Sequence, residues 1–81
     1  MRVRVQFFSR LREVVGSGER ECEVSADSTV NDLLTVLYND HPSLREWDAH
    51  LLAAIGVEYV SRDQVIREGE TILLFPPVQG G

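Results

Sequence analysis

Asp27-Ser28-Thr29-Val30-Asn31-Asp32-Leu33-Leu34-Thr35-Val36-Leu37 decides the fold. Asp27-Ser28-Thr29 is a helix-start signal, and Val30, Leu33, Leu34 and Leu37 recur at i, i+3, i+4 and i+7, the stripe of a helix with one buried face. Asn39-Asp40-His41-Pro42 ends it. A single apolar stripe needs a surface to cover it, and the flanking segments read as strands. Upstream, residues 2–8 (Arg2-Val3-Arg4-Val5-Gln6-Phe7-Phe8) alternate with period two, placing Val3, Val5 and Phe7 on one face. Phe8 breaks the alternation and points away from them. Arg20 to Val24 forms a second strand with Cys22 and Val24 inward and Glu21 and Glu23 outward. Antiparallel pairing of the two strands brings Arg2 and Arg4 near Glu21 and Glu23, each cross-strand pair worth about 0.2–1 kcal/mol. Between them Ser9 caps a short helix through Leu11, Val14 and Val15, stopped by Gly16-Ser17-Gly18.

Downstream, Ser43 to His50 is polar apart from Leu44, Trp47 and Ala49. It reads as a short helix or ordered loop whose Trp covers the edge of the core. Leu51-Leu52-Ala53-Ala54-Ile55 is a strand with small residues where neighbours approach closely. Glu58-Tyr59-Val60 and Gln64-Val65-Ile66 are short edge segments, Glu68-Gly69-Glu70 is a turn, and Thr71 to Phe75 is a continuous apolar run, the pattern of a strand covered on both faces. The order strand, short helix, strand, main helix, several strands predicts an α+β fold, a mixed sheet with the main helix packed on one face. At 81 residues and 9.1 kDa one small domain is expected, with residues 1–75 as its body and 76–81 as an extended tail.

Composition removes whole classes of chemistry. All eight basic residues are Arg, so no lysine is present to act as Schiff base, general base or phosphate ligand. Thirteen acids give a net charge of −5. Residues 1–20 carry five Arg against Glu13 and Glu19, a net +3, whereas residues 21–81 carry three Arg against eleven acids, a net −8. Nucleic acid as a partner is disfavoured, because phosphate binding wants clustered basic charge, and a protein with a basic face fits better. One Cys forms no internal disulfide and no long apolar stretch occurs, so the expected setting is cytoplasmic, without a membrane partner.

No self-contained active site emerges. Cys22 lies between two Glu, and their charge raises a thiol pKa, the opposite of what a thiolate nucleophile needs. His41 and His50 lack metal-site spacing and companions, so no bound metal or cofactor is expected. Ser9, Ser17 and Ser25 have no motif context for a triad. The end of the sequence is different: Phe75-Pro76-Pro77-Val78-Gln79-Gly80-Gly81. A Gly-Gly ending would arise by chance in roughly 0.5% of chains. The prolines favour extended backbone, and six residues reach at most about 20 Å, enough to thread a narrow channel in another protein. A frayed terminus is the competing reading.

Three stretches carry a family resemblance: Val5-Gln6-Phe7-Phe8 with Arg12-Glu13-Val14-Val15-Gly16, then Leu51-Leu52-Ala53-Ala54-Ile55, then the Phe75 to Gly81 ending. Together they resemble the small subunits of molybdopterin synthase, the MoaD type of ubiquitin-like sulfur carrier, over essentially the whole chain. Two positions depart from the common pattern: many members carry Asn where Gly56 stands, and a small residue is commoner than Gln79. The resemblance implies a β-grasp (ubiquitin-like) fold and a carrier mechanism centred on Gly80 and Gly81. The Gly81 carboxylate would be adenylated by an E1-like activating enzyme using ATP and magnesium, then take sulfur from a sulfur donor as a thiocarboxylate. The tail would enter the large synthase subunit, in a heterotetramer of two small and two large chains, and deliver sulfur to cyclic pyranopterin monophosphate in molybdenum cofactor biosynthesis. The alternation of the last strand adds a partner surface: Phe8, Leu73 and Phe75 as an apolar patch docking the large subunit, flanked by Pro76, Pro77, Val78 and Gln79. A covering loop of the same chain is the competing reading of that patch. For function, the alternatives are a ubiquitin-like modifier joined through Gly81 to lysines of target proteins, a carrier for another thiolation pathway, and a non-covalent interaction domain.

Overall fold

The computed structural model describes residues 1–77. Its elements follow the expected order: β1 (Arg2–Phe7), α1 (Arg10–Val15), β2 (Glu19–Glu23), α2 (Val30–Asp40), a 3-10 helix (Pro42–His50), β3 (Leu52–Ile55), β4 (Glu58–Val60) and β5 (Thr71–Phe75). The five strands form one mixed sheet in the order β2-β1-β5-β3-β4. β1 pairs antiparallel with β2 and parallel with β5, and β3 pairs antiparallel with both β5 and β4. The single parallel pair follows from the α2 connection, which carries the chain across one face before the last strand returns beside the first.

That covered face is the core. Val3, Val5 and Phe7 of β1, Ile72 and Leu74 of β5, and Val30, Leu33, Leu34 and Leu37 of α2 are all fully buried in one cluster. Thr29 starts α2 with a reciprocal cap: its hydroxyl accepts from the Asp32 amide at 3.2 Å while the Asp32 carboxylate accepts from the Thr29 amide at 2.9 Å. Leu44 of the 3-10 helix is buried, and Trp47 packs against the rim of the cluster.

Three expectations need correction. The Thr71–Phe75 run is covered on one face only: Ile72 and Leu74 are buried, whereas Thr71, Leu73 and Phe75 remain half-exposed. A continuous apolar run in a one-helix, one-sheet domain therefore marks a surface, because nothing in so short a chain is left to form a third layer. Gln64–Ile66 is not a strand. Only an isolated bridge joins Val65 to Thr29, with Ile66 buried and Val65 exposed. Finally, Ser9 precedes α1, but its side chain caps nothing.

Ser9 instead serves through its backbone, at φ 53° and ψ −133°, a region in which non-glycine residues are strained. The turn it makes lets Phe8 complete the β1–β5 ladder, donating to the Leu74 carbonyl at 3.1 Å, while the next residue already begins α1. Strain of this kind costs on the order of 1–3 kcal/mol, offset in a glycine variant by about 0.5–1 kcal/mol of extra unfolded-state freedom. Ser9→Gly is therefore expected to stabilise the domain by about 1 kcal/mol, raising the melting temperature by roughly 4–8 °C. A lower melting temperature would show that the turn is unstrained. Gly56, at φ +65° in the β3–β4 turn, explains its own departure from the family pattern, since Asn and Gly are the residues that tolerate that region best.

A polar clasp ties α2, the 3-10 helix and the segment after β4. The Tyr38 hydroxyl donates to the Asp48 carboxylate, and Arg62 donates to the same oxygen at 3.0 Å and to the Asp48 carbonyl. These hydrogen bonds, Tyr38 first, hold the Asp48 carboxyl below its ordinary range, while burial and then Asp48 itself push the Tyr38 hydroxyl up. The Asp48 contribution is present above its unfolded pKa and is lost as pH falls through the lower folded value; that of Tyr38 is lost only at strongly alkaline pH. Asp48→Asn should cost stability at pH 7, and the gap in urea midpoint should close as pH falls below about 4, the ordinary carboxylate value, and through the lower folded one. A gap independent of pH would contradict the clasp.

Candidate functional site

The face of the sheet opposite α2 divides into a charged half and an apolar half. On β2 and β1, Arg2 stands opposite Glu23 and Arg4 opposite Glu21. Arg4 reaches Glu19 at 2.8 Å, Arg2 lies 3.7 Å from Glu21 and 3.6 Å from Glu23, and Arg4 approaches Glu21 at 4.0 Å. Half-exposed pairs like these contribute little stability each, but they consume much of the basic charge of the first twenty residues.

Across β1 the face turns apolar. The parallel register sets Gln6 beside Leu73 and Phe7 beside Leu74, so Phe8 arrives next to Phe75. Their rings stack with centroids 4.6 Å apart at 13°. Leu73 and Phe75 share this face, and all three of Phe8, Leu73 and Phe75 remain half-exposed, so no described loop seals them. The structure thus brings together the three patch residues expected from alternation. It also adds three that sequence reasoning missed: Leu52 opposite Phe75, Ala54 opposite Leu73, and Tyr59 opposite Ala54. Tyr59 is 67% exposed and meets Phe75 edge-on at 6.0 Å. The strand period could have assigned each to a face, but only the order of strands shows that these faces coincide.

The apolar half runs to the root of the tail. Pro76 and Pro77 follow β5 directly and are half-buried, lining a groove with Ser9, Arg10 and Trp47. Val78, Gln79, Gly80 and Gly81, the remaining expected site residues, lie outside the described residues.

The other candidates resolve differently. Cys22 is buried against the core and its pKa is raised, as expected, but chiefly by desolvation and not by the flanking glutamates; Arg20 pulls in the opposite direction. A buried thiol with a raised pKa is a packing residue. His41 terminates α2, donating its amide to Leu37 at 2.7 Å, and its ring nitrogen pairs with Arg20 at 2.8 Å. His50 is exposed at the end of the 3-10 helix. Among the described residues no group of three His, Cys, Asp or Glu is placed to hold a metal, and no helix is long and apolar enough to cross a membrane. What the described surface offers is a half-exposed apolar face beside the root of a tail.

Known proteins share this fold. The model of the ThiS family matches residues 5–81. The molybdopterin synthase sulfur carrier subunit of Escherichia coli strain K12 is 35% identical over 82 residues, covering 98% of this chain and 99% of that protein. Small archaeal modifier protein 1 of Haloferax volcanii is 34% identical, covering 94% and 97%. A crystal structure of that modifier, SAMP1, superposes with a TM-score of 0.86 at 31% identity over 100% of both chains. The fold is accordingly the ubiquitin-like β-grasp.

Proposed function

The chain belongs to the ThiS family, and on that premise we propose that it is the sulfur-carrier subunit of a molybdopterin synthase, with Gly81 as the covalent attachment site. The observation that carries this reading is the end-to-end match to the Escherichia coli relative of that name, in a chain that finishes Gly80-Gly81. The chemistry agrees with what the chain lacks. A carboxylate is a poor electrophile until one oxygen becomes a good leaving group. In the proposed sequence a Gly81 oxygen attacks the α-phosphorus of ATP, bound with magnesium by an adenylating partner, and pyrophosphate leaves. Hydrosulfide supplied by a sulfur donor then attacks the acyl carbon; the new C–S bond replaces the C–O bond and AMP departs, leaving a thiocarboxylate. The large synthase subunit receives the tail; the thiocarboxylate sulfur bonds to a carbon of cyclic pyranopterin monophosphate in place of an oxygen substituent, and water cleaves the acyl C–S bond, returning Gly81 to its carboxylate.

This chain contributes the carboxylate, the tail and the docking face. The cations that stabilise phosphate and oxyanion charge are assigned to the partners, since the chain has no lysine and pairs Arg2 and Arg4 internally. Its net charge of −5 steers it toward basic partner surfaces. Phe8, Leu73 and Phe75, with Leu52 and Tyr59, are proposed to meet the large subunit, and Pro76 to Gln79 to follow into its channel.

A second reading, a modifier joined through Gly81 to lysines of target proteins, is favoured by the nearly equal identity to the Haloferax volcanii modifier. Intact mass spectrometry of the protein from cells separates the two. Sulfur in place of oxygen adds nearly the mass of one oxygen atom, which Met1 oxidation also adds, so the species must be alkylated under native conditions, where Cys22 is buried. An alkylated C-terminal thiocarboxylate supports the carrier, higher-mass conjugates support the modifier, and neither species removes both.

A further inference from the structure

A strained non-glycine turn before a helix, the only tryptophan of the sequence and its double proline meet at one place. Ser9, Arg10, Trp47, Pro76 and Pro77 come from three distant stretches and line a single groove of about 260 Å³. Trp47 is anchored from behind by its packing against the core. Ser9, through its left-handed backbone, sets the first turn of α1 beside the tail root. Residues held in such sparsely populated conformations concentrate where geometry matters for function.

We propose that Trp47 is a positioning residue: with Ser9 and Arg10 it forms a seat for Pro76 and Pro77 that sets the direction in which the chain leaves the sheet toward Gly81. The inference rests on the carrier reading above, because a launch direction matters only if Gly81 must reach a reacting centre. The Phe8–Phe75 stack holds the last residue of β5, but it places no constraint on the backbone beyond that residue. Two prolines fix φ at the next two positions, and a broad rigid indole supplies the wall that orients them. Leverage makes the direction consequential. Four residues beyond Pro77 span at most about 14 Å, so a change of roughly 20° at the root displaces a fully extended tip by about 5 Å. Misplacement of a reacting group by about 1 Å can already cost a hundredfold in rate.

Two measurements on the full chain test this. First, Trp47 fluorescence needs no partner: replacing Pro76 and Pro77 with Gly should shift emission to longer wavelength and raise acrylamide quenching, because one side of the groove is lost. Unchanged emission and quenching would overturn the seat. Second, in ATP–pyrophosphate exchange with an E1-like adenylating enzyme, Trp47→Ala should lower kcat about 10- to 100-fold with KM little changed, and Trp47→Phe should recover most of it. Trp47→Ala added to the double glycine variant should cost nothing further, since both act through the same contact. Additive losses, or a loss confined to KM, would overturn the proposal. If Trp47→Ala does not fold, Trp47→Phe and the glycine variant carry the comparison. A chain without Gly81 is the control: exchange persisting in it sinks the carrier reading, whereas exchange lost with Gly81 but indifferent to Trp47 sinks only the seat.

Discussion

Removing Gly81 is expected to abolish sulfur loading and molybdopterin formation while leaving the folded core unchanged. The separation of effects follows from where the core ends. Among the described residues Ile72 and Leu74 are the last that are fully buried, and β5 ends at Phe75, six residues before Gly81. Loss of one terminal residue, six positions beyond the last residue of β5, should leave stability within about 0.5 kcal/mol of the parent. Activity should fall to background, because the new terminal carboxylate on Gly80 stops about 3.5 Å short of the position that the partners' sites are built to receive. Adding one Gly past Gly81 should also abolish activity, this time by overreaching. Retained synthase activity in the shortened chain would falsify the assignment of Gly81.

Phe75→Ala is expected to weaken binding to the large synthase subunit about 30-fold or more, the signature of a central aromatic anchor. In the free chain Phe75 is half-exposed, stacked on Phe8 and touched edge-on by Tyr59. Its truncation therefore removes less than the ~3–5 kcal/mol lost when a fully buried Phe is cut to Ala. A stack of this kind is worth about 0.5–1.5 kcal/mol beyond its buried area, so the variant should remain folded at 25 °C. Glu23→Gln, on the charged half of the same sheet face, should leave affinity within about twofold. Titration calorimetry reads both. Equal affinity for the parent and Phe75→Ala would remove this face from the interface, leaving the tail as the means of recognition.

The two predictions draw on different kinds of information. The proposal for Gly81 draws on sequence only, on the Gly80-Gly81 ending taken together with the family resemblance and the absence of lysine. Phe75 was half-legible. Alternation along Ile72-Leu73-Leu74-Phe75 assigned it to the face away from α2, but could not decide whether that face was covered. The apolar run suggested cover on both sides and was misleading, since apolar content alone does not tell a covered face from a half-exposed one. Leu52 and Tyr59 carry no local signal for this face, because what sets them beside Phe75 is the pairing of β3 with β5 and β4. Ser9 was placed correctly before a helix but given the wrong role, because N-cap propensity describes side chains and the Ser9 contribution is made by φ and ψ.

By itself the sequence determined what is local. The 3.6-residue stripe placed α2, the period of two sorted Val3, Val5 and Phe7 from Arg2, Arg4 and Phe8, the cross-strand charges matched β1 to β2, and the residue inventory excluded lysine chemistry. Each of these depends on neighbours a few residues apart, or on what is absent. The tertiary structure alone decided which distant stretches meet: the parallel pairing of β1 with β5 that stacks Phe8 on Phe75, the strand order that adds Leu52 and Tyr59, and the groove that joins Ser9, Trp47 and the two prolines. Local pattern sets the face on which a side chain stands, but strand order and register are chosen by the packing of the whole core, which no short window of sequence contains.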